Sequence, residues 1–233
     1  MNYAHYMLIP DDFAALERSL SVACKAGKWL PNSGIFWCKK SLFVANSRAF
    51  VGLGDCGIEV IPREPIAISP PAAHKLLSTL RSKNVRYVDH IEVETGCQDE
   101  FTVYFKIIYD KDSKFKDGVI VSKYAHSWLP KYDINHRYSL LRSHKNYREY
   151  ERNVESVLQG FRCYEDTLLP LESLIPTRSY RKIVIDVGLL KAFLAPARSE
   201  DTTMLIGYCG PTLPILCRAG DIIAILHIEE VVG

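Results

Sequence analysis

The residues best placed to do chemistry are a glycine cluster, scattered acids and histidines, and a recurring set of basic side chains. Gly52-Leu53-Gly54-Asp55-Cys56-Gly57 spells G-x-G-x-x-G. In a dinucleotide fold that turn opens a helix whose N-terminus faces a pyrophosphate. Here Ile58-Glu59-Val60-Ile61 follows, which reads as a strand, and the position twenty residues on holds Leu77 rather than an acid. A glycine hairpin turn accounts for the pattern better. Asp11-Asp12 and Asp110/Asp112 are candidate metal ligands, but a helix start and a charged turn explain them more simply. The seven histidines are scattered. No P-loop, G-x-S-x-G or H-E-x-x-H is present. No constellation supports nucleophilic or acid–base catalysis. The expectation is a non-enzyme with no metal and no cofactor.

The basic residues carry more information, and their meaning depends on the elements that hold them. Three segments share one pattern of a short strand, a break and an amphipathic helix: Met7–Ile9 into Phe13, Leu16 and Leu20; Ile66–Ile68 into Ala72, Leu76 and Leu80; Ile183–Ile185 into Leu189 and Phe193. In each, the first apolar helix position falls four residues after the last strand residue, which indicates one unit reused. His74 and Arg81 stand six and thirteen residues after Ile68. Lys191 and Arg198 stand at the same offsets after Ile185, while Arg18 and Lys25 stand at nine and sixteen after Ile9. Residues seven apart share a helix face. Offset six lies about 200° from the apolar offset four at ~100° per residue. The basic stripe therefore points away from the core. A long helix is expected around Tyr147–Phe161, adding Arg142, Lys145, Arg148 and Arg152. Pro196 is expected to stop the third helix.

Strands are expected at 34–38, 41–45, 49–53, 58–61, 85–88, 90–95, 101–109, 119–122, 203–208, 213–218 and 222–228, with an extended connector over 166–180. Helices set between runs of antiparallel strands indicate an α+β fold. The 233 residues, 48% hydrophobic and 24% charged, suit two domains, read as 1–124 and 125–233. The net charge of +2 identifies no partner by itself. No apolar run reaches membrane-span length, and the N-terminus lacks a signal-peptide pattern. Seven cysteines, an odd number with no C-x-x-C pair, point to reduced thiols and a cytoplasmic setting.

The chain resembles the sliding DNA clamp family, most closely the bacterial polymerase III beta-subunit type. The resemblance rests on Leu168–Pro176, Ile183–Phe193 and Leu213–Leu226, and on the order of elements from Leu8 to Leu80. It implies two clamp-like domains with sheets outside and helices inside a ring. Arg18, Lys25, His74, Arg81, Lys145, Arg148, Arg152, Lys191 and Arg198 would then face duplex DNA without reading its sequence. It also implies a polymerase or clamp-loader-like partner, bound through a short apolar peptide at Leu174, Ile175, Pro176, Leu226 and Ile228. Family rings hold six domains, so a two-domain chain implies a homotrimer. Two other readings stay open: a nucleotide- or phosphate-handling enzyme using Gly52–Gly57, and a monomeric clamp-fold protein that binds replication factors without DNA.

Overall fold

A computed structural model describes residues 4–60, 65–95, 102–124, 130, 134–161, 168–176, 182–198 and 203–231. The chain opens with strand β1 (Ala4–Leu8) and helix α1 (Pro10–Gly27). Pro10 occupies the first turn, where its missing N–H had no helical partner. The Asp12 carboxylate accepts from the Ile9 N–H at 3.0 Å. Phe13, Leu16, Leu20 and Ala23 bury one side of the helix. Strands β2 (Gly34–Cys38), β3 (Ser41–Ala45) and β4 (Ala49–Leu53) follow at the expected bounds. Next come β5 (Ile66–Ile68), α2 (Pro70–Leu80), a 3-10 turn over Lys83–Tyr87, and β6 (Val88–Thr95), β7 (Thr102–Tyr109) and β8 (Gly118–Lys123). The strand expected at 85–88 is thus mostly the 3-10 turn. Of the strand expected at 58–61, the described part is an isolated bridge, Val60 to Lys39.

The long helix expected around 147–161 is absent. Instead α3 (Ile134–Arg142), β9 (Arg148–Asn153) and α4 (Val154–Phe161) occupy this stretch. The connector expected at 166–180 holds β10 (Leu168–Pro170) and a 3-10 turn over Leu171–Ser173. Strand β11 (Lys182–Asp186) leads into α5 (Val187–Ala197), whose N-cap Asp186 accepts from the Gly188 N–H at 2.7 Å. The helix runs one residue past Pro196. Strands β12 (Thr203–Tyr208), β13 (Ile215–Ala219), β14 (Ile222–Leu226) and β15 (Ile228–Val231) complete the order.

Pairing reveals a repeat that the sequence shows only in part. The strand before each helix pairs with the first strand after another helix: β1 with β6, and β5 with β2. The exchange recurs downstream, where β9 pairs with β12 and β11 with β10. A fourth copy of the strand–helix unit is therefore β9–α4. Among the described residues, β10 alone stands where β2, β3 and β4 stand in the first half.

Among the described residues three sheets result: β1-β6-β7-β8, β10-β11-β15, and an eight-stranded sheet β5-β2-β3-β4-β14-β13-β12-β9. The eight-stranded sheet joins the two halves through the antiparallel β4–β14 pair. Alternate residues of its strands enter two different cores. Ile35, Trp37, Leu42, Val44, Val51, Ala224 and Leu226 belong to the main core with α1 and α5. Phe36, Phe43, Phe50, Leu216, Ile223 and Ile225 belong to a second, smaller core with Ile134 and Tyr138 of α3. Side chains alternate across a strand, so these two cores lie on opposite faces. This corrects the expectation that the helices share a single face: α3 lies against the other one.

Candidate nucleic-acid interface

The main-core face of the eight-stranded sheet is covered by a row of helices. α2 packs on α1, α1 on α5, and α5 on α4. Each helix buries its apolar stripe, and α1 and α2 carry basic side chains among the residues they leave exposed. On α1 the exposed residues include Ala14, Arg18 and Lys25; on α2 they include His74, Lys75 and Ser78, with Arg81 at the C-cap. Helix α5 is more deeply set, and Lys191 is only half-exposed while Arg198 at its C-cap is exposed. Arg18, Lys25 and Arg81 line one open groove of about 230 Å³ between α1 and α2, together with Ala14, Glu17, Ser21 and Val22. The structure thus brings three of the expected residues together and sets His74, Lys191 and Arg198 on the same row of helices.

The cations do not stand alone. Arg18 pairs with Asp221 at 3.0 Å. Arg81 donates to Glu17 and to the Ser21 hydroxyl, both at 2.9 Å. Arg198 pairs with Glu155 of α4 at 2.7 Å. The Lys191 ammonium lies 5.1 Å from the centre of the Trp29 ring. Each of the three ion pairs has exposed or half-exposed partners, so each stabilises the fold by only about 0–1 kcal/mol.

Lys145, Arg148 and Arg152 lie elsewhere. Lys145 is in the turn between α3 and β9. Arg148 and Arg152 are on β9, the last strand of the sheet, and the Arg152 guanidinium donates to the Leu174 carbonyl oxygen at 2.6 Å. These three are not on the helix row. Lys75 and Trp29 were missed by the offset argument. Lys75 follows His74 on the exposed side of α2. Trp29 is 43% exposed and ends the α1 stripe four residues after Lys25.

The expected apolar docking residues are mostly interior. Leu174, Ile175, Leu226 and Ile228 are all at most 5% exposed, and only Pro176 is open to solvent. These four pack in the main core.

The glycine loop is likewise committed to structure. The Gly54 N–H donates to the Asp221 carbonyl oxygen, the Cys56 N–H to Lys40, and the Gly57 N–H to the Asp55 carboxylate. A phosphate cradle needs such groups pointing at the ligand. Gly57 has a φ of +77°, which a turn requires and which glycine supplies without strain. The loop does not open a helix, which corrects the nucleotide-handling alternative.

A possible cation site is His5, Glu92 and Glu94, whose ligand atoms all lie within 4.8 Å of one another. The Lys106 ammonium stands 2.6 Å from Glu94 and 3.6 Å from Glu92 and already balances the carboxylates. These contacts raise the Lys106 pKa, chiefly through its hydrogen bond to Glu94. The group is a surface ion-pair network on β1, β6 and β7.

No described helix is long and apolar enough to cross a membrane. No family model matches the chain, and no curated protein matches it in sequence. Solved structures do. A DNA polymerase sliding clamp from Pseudomonas aeruginosa is similar, with a TM-score of 0.57 and 8% identity over 97% of this chain and 67% of that one. The DNA polymerase beta subunit of Streptococcus pyogenes gives 0.55 and 10% over 98% and 66%. The polymerase III subunit beta sliding clamp of Bartonella birtlesii gives 0.58 and 12% over 97% and 66%. The chain spans about two thirds of the length of these structures. At such low identity the likeness is one of architecture, and the α+β fold described above is that of the bacterial sliding clamps.

Proposed function

We propose that this protein is a clamp-like processivity scaffold made of two clamp-like domains, residues 1–124 and 125–233. Three copies would form a ring around duplex DNA and tether a polymerase or clamp-loader-like protein. The observation that supports this reading is the packed row α2–α1–α5, whose helices and caps carry Arg18, Lys25, His74, Arg81, Lys191 and Arg198. Contacts from such side chains go to phosphates. Binding would be sequence-blind and would weaken with salt, log K falling by about 0.9 per neutralised phosphate for each unit of log salt. A protein of this kind needs no catalytic group and no cofactor.

The test is fluorescence anisotropy with two unrelated duplexes across a salt series, beside light scattering of the protein alone. The expected result is equal affinity for both duplexes, a linear salt dependence and a trimer mass. Arg18→Glu, Lys25→Glu, Arg81→Glu and Lys191→Glu together should abolish binding. Each should change stability by about 1 kcal/mol or less, roughly 2–4 °C in Tm. Undiminished binding by the fourfold variant would end the helix-row assignment, and a strictly monomeric protein would end the ring.

A specific observation favours a second reading, a monomeric clamp-fold protein that binds replication proteins without DNA. Arg18, Arg81 and Arg198 already hold carboxylates. On that reading neither duplex binds at low salt.

A further inference from the structure

We propose that Trp29 is a stacking platform for an unpaired nucleobase, so that the helix row favours duplex DNA carrying a single-stranded overhang over blunt duplex. The inference rests on the DNA reading above and deepens it.

The indole is placed by two helices. Helix α1 ends at Gly27, but the Trp29 N–H still donates to the Ala26 carbonyl oxygen at 3.0 Å and the Leu30 N–H to Gly27 at 3.3 Å. The helical turn therefore carries on through Trp29, which stands one turn beyond Lys25 on the same side. Lys25 lines the open groove between α1 and α2, so the indole extends that groove toward α5. There the Trp29 carbonyl oxygen meets the first turn of α5, 3.8 Å from where a Cβ on Gly188 would stand. The Lys191 ammonium of α5 lies over the ring, 5.1 Å from its centre.

The ring is open and its setting is cationic. A tryptophan that only packs is covered, as Trp37 is at 0% exposed, whereas Trp29 is 43% exposed. Lys191 lies over the ring as a cation drawn to an aromatic face. Lys25 and the C-cap Lys28 are exposed on the preceding turn. Asp186, whose carboxylate stands beside the same Gly188, caps α5 and pairs with Arg48 at 3.1 Å. Three lysines around one aromatic ring select a polyanion over an apolar protein surface.

Cations that track a phosphate backbone, with an aromatic side chain among them, are the parts of a single-strand site. Every base has a π-face, so such a site tolerates any sequence. A duplex cannot use the ring, because the faces of its bases are already stacked on one another. A base in an overhang can. The ligand is thus a single-stranded segment next to the duplex that the basic groove holds.

The experiment uses the full chain and three fluorescein-labelled probes: a blunt duplex, the same duplex with an oligothymidine overhang, and the overhang strand alone. By anisotropy the overhang duplex should bind about tenfold more tightly than the blunt one. Trp29→Ala should bring that ratio to about one, and Trp29→Tyr, which keeps an aromatic face, should retain most of it. With unlabelled probes, the overhang duplex should quench the tryptophan emission of the unaltered protein, and the quench should vanish in Trp29→Tyr. Equal affinity for the two duplexes, or a preference that survives Trp29→Ala, would overturn the proposal while leaving the duplex reading intact. Overhang strand bound through Trp29 without any binding of blunt duplex would uphold the platform and count against the ring. Binding of none of the three probes would end both.

Discussion

Gly52 sits in the middle of β4, where an added Cβ would stand 2.4 Å from the Leu42 carbonyl oxygen and 2.5 Å from the Phe43 Cα. Both are backbone atoms of the neighbouring strand and cannot turn aside. Gly52→Ala should therefore cost about 3 kcal/mol, read as a lowered urea midpoint. Gly54 meets the Asn135 side chain at 2.7 Å, a neighbour that can move, so Gly54→Ala should cost distinctly less. An ATP- or NAD-binding role would predict loss of ligand binding instead. The three glycines are legible in sequence as a motif. Their reasons differ, one a close strand approach, one a contact with α3 and one a positive φ, and spacing alone does not separate them.

The thiols make a second residue-scale prediction. Burial pushes the Cys24 thiol up to about 11 from 9.0, against the pull of Arg81 and Lys28. Burial raises Cys56, Cys209 and Cys217 in the same direction. Above pH 9 the unfolded chain sheds protons that the folded chain retains. The stabilisation is complete below that pH and is lost as pH rises, through about 11 for Cys24. Thermal melts from pH 8 to 10.5 should show Tm falling, and Cys24→Ala should flatten the decline. A constant Tm would place these thiols in solvent.

At the scale of elements, sequence and structure agree where one period dominates. Strands β2, β3 and β4 fall at the bounds their turns predict, because glycine, lysine and asparagine punctuate short apolar runs. Helix α1 follows its stripe of Phe13, Leu16, Leu20 and Ala23. The failure at 142–161 comes from a helical period that a distant strand overrides. Tyr147, Tyr150, Val154, Val157 and Leu158 fit a helix, and Arg148-Glu149-Tyr150-Glu151-Arg152, with one apolar residue in five, shows no strand period of its own. The strand wins because β12 offers six residue pairs from 50 to 60 residues away, and a local pattern cannot show that partner. With the helix went the expected place of Lys145, Arg148 and Arg152. The basic stripes of α1 and α2 were legible for the opposite reason: each depends only on residues within its own helix. Leu226 and Ile228 looked available because a β-edge sequence does not disclose what packs above it. Leu226 in fact lies in β14, bonded on both sides by β13 and β4.

At the scale of the molecule, the two halves share one sheet, so neither half is complete alone. A chain of residues 1–124 would keep α1, α2 and both of its sheets but lose β14 from the side of β4. It should form oligomers or aggregate where the full chain stays dispersed, because a five-residue apolar edge, Ala49–Leu53, would be bare. Light scattering of the fragment beside the full chain checks this, and a well-behaved monomeric fragment would show that the halves are separable.

The β4–β14 pair also sets a clock on biosynthesis. Residues 49–53 leave the ribosome long before residues 222–226, which lie on the order of 170 residues downstream. At translation speeds of about 5–20 residues per second, the nascent chain waits roughly ten to thirty seconds with that flank uncovered. Over this interval the growing polypeptide is exposed to its neighbours on the same messenger, and holdase chaperones have their widest opportunity to engage it.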